Sequence, residues 1–367
     1  LEDTLMNTYF IPVQSVSSDN LYIDSCWFDS PVQQLNQLLK LNVRIRNSSS
    51  NAIEDVPVKL KINGVQRALA SFTIGPYGES TVELKFSNSE SGIQTGELEI
   101  NDYPVSFDDR FYFSYRVDPA IRVLSINQEL PNFYLTSLFK NDTAMMFTNQ
   151  AVDRLDFSAL QEYQLIILNE LSVLSSGLSQ ELLRILKAGG SVIVLPPGTF
   201  EDDSYGTFLR EANAASYGNL DTTLQRIGKI NLEHSLYAGV FDEVPENMDL
   251  PVVRQHYPMV PYPRSAQETL LELQNGEAFL SLYPVERGRL YLMAAPLKPA
   301  YSGLAQHAIF VPTLYKIAVS SVAPQDLFYF LGKNEVVRVE SGQRAQDEVL
   351  KIADAERTFE VIPEHRR

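Results

Sequence analysis

Between residues 20 and 117 apolar and polar positions alternate in short runs. In LKLNVRI (39–45) and TVELKF (81–86) every second residue is apolar, so one face is greasy and the other polar or charged. That period of two belongs to half-buried strands. Strands are predicted at LYIDSCWF (21–28), LLKLNVRIRN (38–47), VPVKLKI (56–62), QRALASFTI (66–74), STVELKF (80–86), GELEI (96–100) and FYFSYRV (111–117). NSSSNA, INGV, GPYGES, NSESG and INDYP supply the turns, with Asn63-Gly64 at a hairpin tip. Short strands at this spacing predict an immunoglobulin-like β-sandwich over 20–117, preceded by a linker over 1–19. No Cys…Trp…Cys pattern accompanies it, so an antibody-type domain is excluded.

After Asp118-Pro119 the pattern changes. AIRVLSIN (120–127), AMMFTN (144–149), YQLIILNEL (163–171) and SVIVLPPG (191–198) are apolar runs, as strands buried on both faces require. Between them lie helical stretches: Pro131–Lys140, and LSQELLRILKAGG (178–190), whose apolar stripe ends in Gly-Gly. Strand–helix alternation predicts parallel pairing, hence an α/β domain over 118–323. A further helix is expected at TFLREANAAS (207–216), then a β-rich insertion at about 217–300 with a hairpin turning at Glu286-Arg287-Gly288, then a closing helix from Leu304 to Val322. The tail, 324–367, carries the strand-like pieces DLFYFLG and EVVRVES and is too short to fold alone; it reads as the start of a further domain or a linker. The fold class expected is therefore multidomain: an Ig-like sandwich followed by an α/β domain with extra strands.

A net charge of −16 over 367 residues repels phosphate backbones and anionic lipid, so nucleic acid is not an expected partner. The single cysteine, Cys26, forbids an intrachain disulfide and reads, with Trp27, as part of the sandwich core. The chain opens on Leu1 without a leader and is expected to be a piece of a longer or processed protein. Its longest apolar run, His307–Ala323, is too short to span a bilayer.

Ligands of open parallel sheets bind at the carboxyl ends of strands. Three such ends are visible, at Asn127-Gln128-Glu129, Asn169-Glu170-Leu171 and Pro196-Pro197-Gly198-Thr199. The last is where a nucleophile elbow would stand, with Gly198 and Thr199 at its apex. No Cys or Ser occupies the apex and no His follows at an obvious strand end, so no catalytic residue is assigned. Glu170, Glu201, Asp202 and Asp203 are candidate ligand-mouth residues. Glu170 offers an acid or base, and the three later acids offer hard oxygen ligands, but Asp202, Asp203 or Ser204 also serves as an ordinary cap for the following helix. His234, His256, His307 and His365 lack ligand spacing, so no metal and no cofactor is expected. The Pro-rich stretch His256–Pro263 offers apolar side chains either for docking or for covering the domain's own core.

The segment LNVRIRNSSSNAIEDVPVKLKINGVQRALASFTIGPYGESTVELKF resembles CARDB-type immunoglobulin-like modules. YQLIILNELSVLSSGLSQELLRILKAGGSVIVLPPG is similar to a degenerate, flavodoxin-like class I glutamine amidotransferase domain. Joined through FDDRFYFSYRVDPAIRVLSI, the arrangement resembles the soluble part of BatA-like bacterial membrane proteins, related to aerotolerance regulators. The resemblance implies anchorage by membrane segments absent from this chain, a soluble part in the periplasm, and membrane or periplasmic partners, including Bat-type proteins. It implies no established activity. The amidotransferase Cys has no counterpart at Gly198-Thr199, and the DxSxS metal motif of some relatives is absent. The expected role is a non-catalytic protein-binding or assembly module. The alternative is a hydrolase or ligand-sensing domain acting at the carboxyl edge of the α/β sheet.

Overall fold

The computed structural model describes residues 19–30, 32–103, 105–118, 120–201, 203–237, 240, 249–322, 325–330, 332, 351–353 and 360–362. The chain separates into two compact units, Leu1–Leu327 and Phe328–Arg367. It is rich in β-sheet.

The first part of the larger unit is built from β1 (Leu21–Phe28), β2 (Gln33–Gln34), β3 (Leu38–Asn47), β4 (Ile53–Ile62), β5 (Val65–Ile74), β6 (Glu79–Ser87), β7 (Gly92–Glu99) and β8 (Arg110–Asp118). They form two sheets, β1-β3-β6 and β2-β8-β7-β4-β5. Alternation decides which side chains face inward. Leu41, Val43 and Ile45 of β3 and Val58, Leu60 and Ile62 of β4 are fully buried, while their neighbours in sequence stay wetter. The sheets meet through aromatic rings: Tyr115 of β8 lies edge-on to Phe28 of β1, with centroids 4.9 Å apart. Cys26 is buried in this core, and Arg44 covers the Trp27 ring at 5.2 Å. The strand at GELEI starts earlier than its apolar pattern suggests, at Gly92, because Gly92–Glu99 pairs along its whole length with β8.

The second part has β9 (Ile121–Asn127), α1 (Phe133–Phe139), β10 (Met145–Ala151), β11 (Leu165–Asn169), α2 (Ser176–Ala188), β12 (Ser191–Leu195), α3 (Ser204–Glu211), β13 (Ser216–Tyr217), β14 (Gln225–Ile230), β15 (Val252–Val253), β16 (Met259–Val260), β17 (Glu268–Leu273), β18 (Ala278–Val285), β19 (Gly288–Met293) and α4 (Phe310–Ser320). One nine-stranded sheet runs β10-β9-β11-β12-β19-β18-β17-β14-β15. Its first five strands are parallel; from β19 onward each pairing is antiparallel. Every residue of β11 and β12 is buried, as strands covered on both faces must be.

Local chemistry sets the helix ends. Ser175 caps α2 by accepting from the Leu178 amide, and Gly189 ends it at φ 110°, a left-handed conformation natural to glycine. The stripe Leu178, Leu182, Leu183, Ile185 and Leu186 is buried. At Gly288, where the β18–β19 hairpin meets the end of α2, a Cβ would run into the carbonyl oxygens of Leu186 and Gly190. The helix expected over 207–216 instead spans Ser204–Glu211, because Asn213 turns left-handed at φ 53° and Ser216 already belongs to β13. The closing helix is interrupted. A single 3-10 turn at Leu304–Gln306 ends in an extended His307, and α4 starts afresh at Phe310 with Pro312 in its first turn, where a missing N–H is harmless.

In the smaller unit, β20 (Ile352–Ala353) pairs antiparallel with β21 (Glu360–Val361), and Lys351 pairs with Glu360. Residues 326–330 of the predicted strand DLFYFLG are not in a strand, and EVVRVES lies outside the described residues. Among the described residues no helix is long and apolar enough to cross a membrane.

Candidate functional site

The order β10-β9-β11-β12-β19 places the first strand of the α/β part between the second and third, so chain progression reverses between β9 and β11. A crevice forms naturally at the carboxyl ends of such a pair. Here polar side chains meet there. Asn127 ends β9 and Asn169 ends β11; they are 1% and 4% exposed, and the Asn169 amide donates to Asn127 Oδ1 at 2.9 Å. Ser125 donates to the same oxygen at 3.0 Å, and Asn127 Nδ2 reaches the Gln150 carbonyl of β10. Asn169 Oδ1 is buried without a partner. A buried amide oxygen left bare costs roughly 1–3 kcal/mol.

Glu170 follows at φ 58°, a left-handed backbone that a side chain rarely adopts. Its amide donates to the Leu195 carbonyl at 3.0 Å, which ties the turn to the end of β12. Its carboxylate, largely shielded, is paired with Lys298. The strained strand end is thus at Glu170, and its charge is already engaged by a cation.

Gly198 and Thr199 stand at the end of the β12 loop. The Gly198 carbonyl accepts from Tyr257 Oη at 2.7 Å and from Tyr301 Oη at 3.3 Å. Burial holds the Tyr257 phenol above its ordinary range, so it stays a donor. Phe200 packs its ring against Tyr205, Tyr217 and Tyr257 at centroid distances of 5.2, 5.3 and 5.1 Å. Rings thus pack beside the elbow, on the Phe200 side, while Thr199 stays open to solvent. Thr199 is exposed, and among the described residues no imidazole or carboxylate hydrogen-bonds to it. A hydroxyl without a base is a poor nucleophile.

Among the described residues, neither Glu201 nor Asp203 joins a cluster of three potential metal ligands. Glu201 is exposed, and its amide donates to the Ser172 carbonyl at 3.3 Å. Asp203 occupies the cap position of α3 without a side-chain cap bond, its carboxylate lying against Gly206. Asp202 lies outside the described residues. Ser204 instead accepts from the Leu174 amide at 2.9 Å.

Sequence spacing did not anticipate a second constellation at the same edge. In the Pro-rich stretch, His256, Tyr257 and Met259 pack inward while Val260 is exposed. His256 is bridged to Asp221 through paired backbone bonds of 2.8 and 2.9 Å. Its Nε2 lies 2.6 Å from Glu277, which directly precedes β18. Asp221 is held low chiefly by the Thr223 amide, and Glu277 chiefly by its bond to His256. Each of the three offers a donor atom, and these atoms lie within 4.8 Å of one another. Because β18 runs against β19, its first residues sit at the carboxyl edge of the parallel strands, beside Tyr257, whose amide donates to the Ala294 carbonyl just past β19. A histidine at the head of a proline-rich stretch was the only trace of this in the sequence.

No family model matches the chain, and no curated protein matches it. Solved structures do. A cytoplasmic protein of Salmonella typhimurium LT2 is 13% identical over 55% of this chain and 99% of its own, with a TM-score of 0.43. The CARDB domain of a Pyrococcus furiosus protein, solved with di-metal ions, is 16% identical over 28% of this chain and 97% of its own, with a TM-score of 0.25. A β-galactosidase of Bacillus circulans sp. alkalophilus is 13% identical over 56% of this chain and 32% of its own, with a TM-score of 0.38. CARDB domains are thus among the structures this chain is similar to.

Proposed function

We propose that this chain is a non-catalytic assembly module: a CARDB-type sandwich joined to a flavodoxin-like, amidotransferase-like α/β domain whose reactive centre has been replaced by packing. The observation that carries this reading is the Gly198 carbonyl, bonded to two tyrosine hydroxyls, one of them on Tyr257, whose ring packs edge-on against Phe200. An elbow needs a nucleophile and a base; here the only candidate nucleophile is the Thr199 hydroxyl, and among the described residues no imidazole or carboxylate hydrogen-bonds to it. The strand order β10-β9-β11-β12-β19 supports the flavodoxin-like part of the reading.

In this reading the protein is BatA-like, anchored in a bacterial membrane by segments outside this chain. Its soluble part works in the periplasm and docks membrane or periplasmic partners of the Bat type. Leu130 and Phe133 are 80% and 75% exposed on the loop and helix start that follow β9, and they supply apolar contact at the sheet's carboxyl edge.

The test has two arms. Purified chain incubated with glutamine should release no ammonia above a Thr199→Ala control. A photo-crosslinking residue at position 133 in the full-length protein, in its native membrane, should trap a Bat-type membrane protein, and one at exposed Leu69 should not. Turnover abolished by Thr199→Ala, or identical crosslinks from both positions, would overturn the reading.

A second reading, ligand sensing at the carboxyl edge, draws on one observation: the bare Asn169 Oδ1 at the strand-order reversal. A small polar ligand supplying a donor there would raise the melting temperature of the wild type and not of Asn169→Leu.

A further inference from the structure

We infer that Asp221, His256 and Glu277 form a binding site for one divalent first-row cation of the zinc or manganese class, which clasps three separate segments at the carboxyl edge of the sheet. The inference stands independently of the assembly-module reading, since neither role requires the other.

The three donors come from different places. Asp221 lies ahead of β14, His256 lies between β15 and β16, and Glu277 directly precedes β18. Their donor atoms fall within 4.8 Å of one another. One imidazole and two carboxylates form a mixed nitrogen and oxygen set suited to zinc, manganese or iron(II), with the remaining positions left to water. The present spacing is that of a hydrogen-bonded cluster, on which the partly exposed Asp221 and Glu277 side chains would close as the ion binds.

Two features of the cluster point to a cation. The first is the state of the imidazole. His256 is fully buried, its Nε2 meets Glu277, and its Nδ1 has no hydrogen-bond partner among the described residues. Nε2, the nitrogen that faces Glu277, is the atom that would ligate the ion, and no hydrogen bond at Nδ1 ties the ring to the other tautomer. The second is charge. Asp221 and Glu277 are close enough to repel each other, in a chain that already carries −16. Two backbone bonds hold the Asp221 main chain beside that of His256. A divalent cation offsets both charges at once.

Such a site has a mechanical role to play. The Asp221 segment and the β17–β18 turn meet the His256 loop here, and the next residue of that loop, Tyr257, donates to Gly198. A bound ion would fix the loop and, through Tyr257, the position of the Gly198 carbonyl.

Chain stripped with chelator should bind Zn²⁺ at one saturable site by calorimetry, and Zn²⁺ should raise its melting temperature. Glu277→Gln and Asp221→Asn, both at partly exposed positions, should each weaken binding at least about tenfold, the lower end of what disturbing even an outer partner of a metal costs. Zinc-edge absorption of the wild type should report one imidazole among oxygen ligands, which keeps the test valid should a variant fail to fold. Absence of saturable binding, equal affinity in folded variants, or an all-oxygen shell, the mark of loose association with an acidic surface, would each overturn the inference.

Discussion

Tyr257 Oη donates to the Gly198 carbonyl at 2.7 Å, across 59 positions of sequence. Tyr301 reaches the same oxygen at 3.3 Å. Replacing Tyr257 by Phe should cost about 1 kcal/mol, a typical net hydrogen bond, because Tyr301 still serves the acceptor. Removing both hydroxyls leaves the carbonyl bare, so the double variant should lose more than the two single losses combined. A double-mutant cycle from urea denaturation checks the sign of that coupling.

Glu170 combines a left-handed backbone with an ion pair to Lys298. Glycine adopts that backbone freely. Glu170→Gly should therefore be more stable than Glu170→Ala by about 1 kcal/mol, although both lose the same pair. Comparing the two variants by thermal melting separates backbone strain from charge. Equal stabilities would contradict the strain.

Gly288 touches the end of α2 through backbone alone. Gly288→Ala should destabilise by about 3 kcal/mol, because the obstacles are carbonyl oxygens that cannot rotate away. Gly64→Ala, where the Cβ would meet open space at φ 78°, should cost about 1 kcal/mol from backbone conformation alone.

Burial pushes the Cys26 thiol from 9.0 to about 12. In the unfolded chain the thiol ionises near its ordinary value. The stabilisation is thus whole below pH 9.0 and is lost as pH rises from there toward about 12, because the unfolded state releases its proton first. A thiol reagent at neutral pH should modify Cys26 only after denaturant is added, and a Cys26→Ala variant should show a shallower loss of stability on the alkaline side.

The sandwich was largely legible because alternation is written locally: LKLNVRI and TVELKF bury the residues their pattern assigns inward. The apolar runs of β11 and β12 and the Gly-Gly stop of α2 are local too. What escaped is non-local. Nothing near Gly198 announces Tyr257 or Tyr301, nothing near Glu170 announces Lys298, and His256 finds Glu277 only because β18 doubles back along β19. Helix ends differ from the apolar pattern where one residue decides them. Asn213 stops α3, and an extended His307 splits the last helix. The loop pattern marks Gly198 as the elbow, but the left-handed backbone belongs to Glu170, one strand over.

Because β19 is hydrogen-bonded to β12 on one side and β18 on the other, the parallel and antiparallel halves have no seam. Trimming the polypeptide after residue 216, where strand–helix alternation stops, would uncover an edge whose five residues, Ser191–Leu195, are all buried in the intact molecule. Such a fragment would offer a ready template for stacking against its own copies, so a soluble, well-behaved piece must carry the chain at least through Met293.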